Sequence, residues 1–258
     1  MDEAVATAVA RTRTRRRFEP FHRADRNFYL VFLLACWLGV IMGFLPAVTG
    51  RLAGHAPYPA PPILQVHALA FSAWLLLLTI QIGLVRIRKV ALHMTFGAFG
   101  IALIPVMAVS GFGSEVFSQQ FHFDRPPNNL GFFILPIFYV VAFTILATLA
   151  VLARKNSSAH KRLILLATTV IVGAAYARWW GEGLARTFGD GYAGMLINTY
   201  AGTNLLLLAA IAYDLVTRRR LHPVFEIAVP CILIAEVITS IIYHSPQWPP
   251  IAQMIIGR

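Results

Sequence analysis

Seven apolar runs dominate the chain, at about residues 29–49, 63–85, 92–112, 131–153, 162–180, 192–216 and 223–244. A hydrocarbon layer of about 30 Å needs roughly 20 apolar residues in helix to cross it. No other feature limits the fold as severely. Backbone amides in lipid must be satisfied internally, and a helix does so within its own segment. The expected fold is therefore an all-α membrane protein, a seven-transmembrane-helix bundle. Composition agrees, with 13% charged residues where a soluble domain carries about 25%. The expected organisation is a basic tail at 1–28, a membrane domain at 29–244 and an interfacial tail at 245–258. That last stretch, "SPQWPPIAQMIIGR", is too short to span.

The net charge of +11 raises the question of nucleic acid, but the cations sit in short clusters between spans. Seventeen of the 22 lysines and arginines fall on one side of the expected topology. They are Arg11, Arg13, Arg15, Arg16, Arg17, Arg23 and Arg26, then Arg86, Arg88 and Lys89, then Arg154, Lys155, Lys161 and Arg162, then Arg218, Arg219 and Arg220. Positive charge stays in the cytoplasm, so the N-terminus is expected there and the C-terminus in the periplasm of a bacterial inner membrane. Nucleic acid is not an expected partner; the lipid bilayer is. "TRRRF" at 14–18 resembles a twin-arginine export signal, but Glu19, Pro20, Arg23 and Asp25 intervene before the apolar run. It reads instead as a tail lying against anionic headgroups. Cys36 and Cys231 lie singly in apolar runs and read as small hydrophobes.

Several polar residues fall inside the spans. His67, Trp74 and Gln81 recur at seven-residue intervals, and a helix drifts only about 20° per heptad. They therefore share one face, either a seam between helices or the wall of a cavity. In the seventh run Glu236, Thr239, Ser240 and Tyr243 follow i, i+3, i+4, i+7 spacing. A carboxylate at that depth must pair with a cation or be protonated. Arg178 is the candidate partner, with an Arg178–Glu182 pair as the plainer alternative, and Asn204 is deeply placed. Asp214, one turn before Arg218, is expected to partner that basic cluster. Three basic loops are each followed by a histidine at a helix start, His93, His160 and His222. A helix N-terminus disfavours an imidazolium, so these rings should be neutral, as caps or as ligands. Pro105, Pro136 and Pro230 interrupt spans, and Gly39 and Gly43 form a GxxxG read as a packing groove within the chain. Lys89, Lys155 and Lys161 fall in expected loops, which excludes a retinal Schiff base on the seventh helix.

"GVIMGFLP", "VHALAFSAWLLLLTIQIGLV", "ALHMTFGAFG", "AHKRLILLATT", "YARWW" and "AYDLVTRRRLHP" together resemble a family of uncharacterised bacterial seven-helix inner-membrane proteins. Met94 stands where that family tends to carry an arginine, so no role for a cation there carries over. The resemblance implies topology and positions, and no reaction.

Three functions stay open at this point. The first is binding and transport, or sensing, of a small molecule or a cation or proton. Its intramembrane pocket would be formed by His67, Trp74, Gln81, Arg178, Asn204, Glu236 and Tyr243. The second is an oxidoreductase holding haem b or a divalent metal on His93, His160 and His222, with His67, His122 and His244 as donors on the other side. The third is an accessory subunit of a larger membrane complex or oligomer.

Overall fold

A computed structural model describes residues 18–56, 58–125 and 129–258. Arg11, Arg13, Arg15, Arg16 and Arg17 of the basic tail lie outside the described residues, as does most of "TRRRF". The helices are α1 (Asp25–Leu52), α2 (Pro62–Arg86), α3 (Val90–His122) and α4 (Ile134–Leu152). They continue as α5 (Ser157–Phe188), α6 (Tyr192–Arg218), α7 (Pro223–Tyr243) and α8 (Trp248–Ile255). Among the described residues there is no strand. Seven of the helices are long and apolar enough to cross a membrane, α4 together with the 3₁₀ turns at its two ends. The chain is a multi-pass membrane protein. Leu69, Val109, Leu152, Leu208 and Ile227 are each at least 60% exposed. On helices of this length such a surface suits contact with lipid.

α5 is the central helix, with 67% of its most apolar window buried, more than any other span. It packs against α4, α6 and α1; α3 pairs with α2 and α4, and α7 closes against α4, α5 and α6. The loops bearing the basic clusters share one end of the bundle, called here the basic end. α8 packs at the far end, where Trp248, Ala252 and Ile256 meet Phe133, and Gln120 Nε2 donates to Ile256 O at 2.6 Å. The expected interfacial tail is thus a short helix with one buried face.

α3 runs to His122 and α5 to Phe188, past the expected ends at 112 and 180. Hydropathy falls where lipid contact ends, whereas the backbone ladder continues for as long as the residues tolerate helix. A 33-residue helix such as α3 is about 50 Å long, well beyond the hydrocarbon. α5 stops at Gly189, whose φ of 75° is a left-handed conformation that favours glycine. Its other end is capped by Asn156, which accepts from Ala159 N at 3.2 Å. Lys161 is therefore helical, and the expectation of a loop is corrected. Pro136 falls in the first turn of α4, where its missing amide costs no hydrogen bond.

The GxxxG of α1 faces α5. A Cβ on Gly39 would stand 2.5 Å from the Tyr176 ring, and one on Gly43 would stand 2.2 Å from Ala175 O. Tyr176 Oη, seated in this groove, donates to Ala35 O at 2.8 Å.

Candidate functional site

The polar stripe of α7 turns into the bundle: Glu236, Thr239 and Ser240 are 2%, 4% and 1% exposed. Asn204 Nδ2, from α6, donates to Glu236 Oε2 at 3.0 Å. The other carboxylate oxygen, Glu236 Oε1, is buried without a partner, and so are Asn204 Oδ1, Thr203 Oγ1 and Tyr139 Oη. No ion pair among the described residues includes Glu236. Gly173 of α5 makes this close assembly feasible. A Cβ there would lie 2.0 Å from Thr203 Oγ1 and 3.5 Å from Tyr139 Cε1. The aromatic rings here pack on one another, with Tyr139 and Tyr200 at 6.0 Å between centroids and Phe138 edge-on to Tyr200 at 5.6 Å. Both tyrosines are within electrostatic range of Glu236.

A cavity of about 250 Å³ opens at the far end, lined among others by Leu135, Ala177, Asn198, Thr199 and Tyr243. On each of four helices a lining residue falls one helical turn from the cluster. Leu135 is a turn from Tyr139, Ala177 from Gly173, Thr199 from Thr203, and Tyr243 from Thr239. Glu182 and Asp190 also line it. The cavity, called here the vestibule, thus lies about one helical turn beyond the Glu236 cluster.

The remaining expected pocket residues lie elsewhere. Arg178 does not pair with Glu236 or Glu182. It donates to Ala174 O at 3.0 Å and covers the Phe44 ring of α1 at 4.8 Å, while Glu182 pairs with Arg186 at 2.5 Å. The cause is helical phase: Gly173, Ala177 and Gly181 face α6, whereas Ala175 and Arg178 face α1. His67 rests against Phe71 at 4.2 Å with Nδ1 buried and unpartnered, within electrostatic range of Arg178. Trp74 Nε1 donates to Thr168 Oγ1 at 3.1 Å, and Gln81 Nε2 to His93 O at 3.0 Å. That face of α2 is therefore a seam of separate contacts. Tyr243 Oη accepts from Asn129 Nδ2 at 2.7 Å, at the vestibule rim. Sequence reasoning missed Glu115, which accepts from Gln119 Nε2 at 2.8 Å and lies within range of Arg178. Its signal was the i, i+4, i+7 series Glu115, Gln119, His122, which fell beyond the expected end of the span.

Of the three helix-start histidines, His93 and His160 meet, with ring centroids 6.4 Å apart. His160 Nδ1 bonds Ala150 O at 2.7 Å. His222 lies apart from them, its Nδ1 accepting from Val224 N at 3.1 Å and its ring edge-on to Phe18 at 4.7 Å. Among the described residues no three His, Cys, Asp or Glu side chains are grouped to hold a metal ion. These histidines do not fit a shared three-histidine centre.

The basic end carries a second network that the sequence concealed. Arg162 is 1% exposed, and its Nε donates to Asp214 Oδ2 at 2.8 Å while Nη2 donates to Oδ1. Its Nη1 reaches Ser158 O at 2.9 Å and Ser158 Oγ at 2.8 Å. Arg218 is only a secondary partner of Asp214, at 3.6 Å. Arg218 and Lys161 instead hold Asp25 at 2.9 and 2.7 Å, and Tyr213 Oη donates to the same carboxylate. Phe18 lies over Arg162, Arg218 and Arg220 at 4.6, 5.4 and 4.9 Å.

His222 sits beside this network. Burial first, then the charge of Arg162, lowers its pKa from 6.5 to about 4, with Asp214 opposing and Lys161 and Arg218 adding to the decrease. The unfolded chain thus binds a proton in a range where the folded chain does not. Stability is present in full above pH 6.5 and is lost as pH falls towards 4. Melting in detergent across that range should show a steeper acid loss for the native protein than for His222→Asn, which keeps a cap but cannot titrate. Identical slopes would remove His222 as the cause.

No family model, curated protein or solved structure matches the chain. The fold and site define a multi-pass helical membrane protein with a buried intramembrane carboxylate, and its function is read from that geometry.

Proposed function

We propose that the protein is a bacterial inner-membrane carrier or receptor that binds a small molecule, or a cation or proton, in an intramembrane polar pocket centred on Glu236. One observation carries this reading. Glu236 is a buried carboxylate inside a span, hydrogen-bonded through one oxygen to Asn204, with the other buried and unpartnered. Such a group is costly in hydrocarbon and is kept where it binds or carries something. The basic end belongs in the cytoplasm, so the vestibule opens towards the periplasm. Glu236 is the group that gains and loses a proton as the pocket fills and empties.

Reconstituted into liposomes with an entrapped pH-sensitive dye, the native protein is expected to couple proton movement to an imposed gradient. Glu236→Gln is isosteric and cannot ionise, so it should lose that coupling. Coupling that survives in Glu236→Gln overturns the reading. The pairing of His93 with His160 is the one observation favouring a redox or metal centre. An optical spectrum with metal analysis of the purified protein tests it, a Soret band or stoichiometric metal being the result that would carry it.

A further inference from the structure

Donor chemistry and charge narrow the occupant of the Glu236 cluster, an inference that rests on the ligand-binding reading above. The unpartnered atoms there are all oxygens: Glu236 Oε1, Asn204 Oδ1, Thr203 Oγ1, Tyr139 Oη and Tyr200 Oη. Carboxylate, amide carbonyl and hydroxyl oxygens are hard donors, matched to hard cations rather than to soft metals. They come from α4, α6 and α7; the side chains of Glu236, Thr203 and Tyr139 are buried, and Asn204 is half-buried with its Oδ1 shielded. Glu236 is 2% exposed, Thr203 0% and Tyr139 8%. Tyr139 and Tyr200 lie within electrostatic range of Glu236, and their rings pack against each other at 6.0 Å.

Charge sets the valence. The cluster supplies one carboxylate, so a divalent ion would leave an uncompensated positive charge inside the membrane. A singly charged ion leaves the site neutral, and so does a proton. The charged and titratable groups facing Glu236 do not alter this count. Tyr139 of α4 and Tyr200 of α6 are within range of it, Arg178 of α5 acts on Tyr139, and Glu182 and Asp190 stay in the vestibule.

We propose that Glu236, Asn204, Thr203 and Tyr139 form a site for one monovalent metal cation, admitted through the vestibule in exchange for a proton on Glu236. The exchange balances: the carboxylic acid releases its proton as the cation takes the carboxylate.

The test is equilibrium binding of radiolabelled sodium and rubidium ions to the purified full chain in detergent. Saturable binding at alkaline pH that is displaced by acid is expected. Glu236→Gln should weaken it roughly a hundredfold and Thr203→Val roughly tenfold, with folding followed by tryptophan fluorescence. Asn204→Asp adds a second carboxylate and should bring binding of radiolabelled calcium, a gain that misfolding cannot produce. In a Cys231→Ala background, Asn198→Cys blocked by a bulky membrane-impermeant thiol reagent should slow ion exchange severalfold. Exchange at the unmodified rate overturns the vestibule as the route. No saturable monovalent binding, or binding indifferent to Glu236→Gln, overturns the site. If metal-ion binding is absent while Glu236-dependent proton coupling persists, this inference fails and the ligand-binding reading stands. Loss of both removes the two together.

Discussion

Asp214→Ala is expected to destabilise the protein by about 3–5 kcal/mol, the cost of leaving a buried charge without its partner. Arg162 and Asp214 are each 1% exposed, so neither can turn to solvent when the other is removed. Arg162 would keep its bonds to Ser158 and the ring of Phe18 above it. Neither Ser158 nor Phe18 carries a negative charge to replace the carboxylate. Asp214→Asn should fall between, since the amide retains an acceptor for the guanidinium but not the charge. The informative variant is the double replacement Arg162→Met with Asp214→Leu. Removing both charges eliminates the unpaired state, and apolar side chains of similar volume often replace a buried pair at little cost. The double variant should therefore melt closer to the native protein than Asp214→Ala does. A midpoint for Asp214→Ala indistinguishable from native in detergent would show that the pair contributes nothing to holding α5 on α6.

This network also shows where the sequence was legible and where it was not. Span number, hydrophobic patterning and the Glu236 stripe all depend on residues near one another in the chain, and periodicity reads those directly. Arg162 stood beside Lys161 in a basic loop sequence, and composition cannot distinguish a cation that sets orientation from one that is buried. Helical phase could have done so. Arg162 lies in line with Leu166, Val170 and Gly173, all on the buried face of α5. Its partner is 52 positions away, beyond any local spacing rule, so the nearer basic cluster at Arg218 looked the natural mate for Asp214. The same limit misplaced Arg178. Charge complementarity pointed from Glu236 to an arginine, but phase turns that arginine towards α1, and the hydrogen bond to Glu236 comes from the uncharged Asn204.

Gly43→Val is the second large effect, because the obstruction it meets is main chain. A Cβ at this position stands 2.2 Å from Ala175 O, and a carbonyl within α5 cannot rotate aside as a side-chain tip could. α1 must then move off α5, loosening the Tyr176–Ala35 hydrogen bond and the seating of Arg178 over Phe44. Association of helices in lipid depends on close van der Waals fit, since apolar side chains gain nothing by leaving acyl chains. Overpacking of this kind costs about 1–3 kcal/mol in a core that can adjust, and a fixed carbonyl places Gly43→Val at the upper end. Gly83→Ala is the control. No atom lies within 4 Å of its Cβ position, and in a helix that change should be neutral or stabilise by up to about 1 kcal/mol. Melting in detergent measures both, and sizing of the same samples separates two roles for the glycines. If the groove serves α5, Gly43→Val lowers the melting midpoint without altering the oligomeric state. A variant that melts as the native protein does but changes its oligomeric state would place the GxxxG between chains instead.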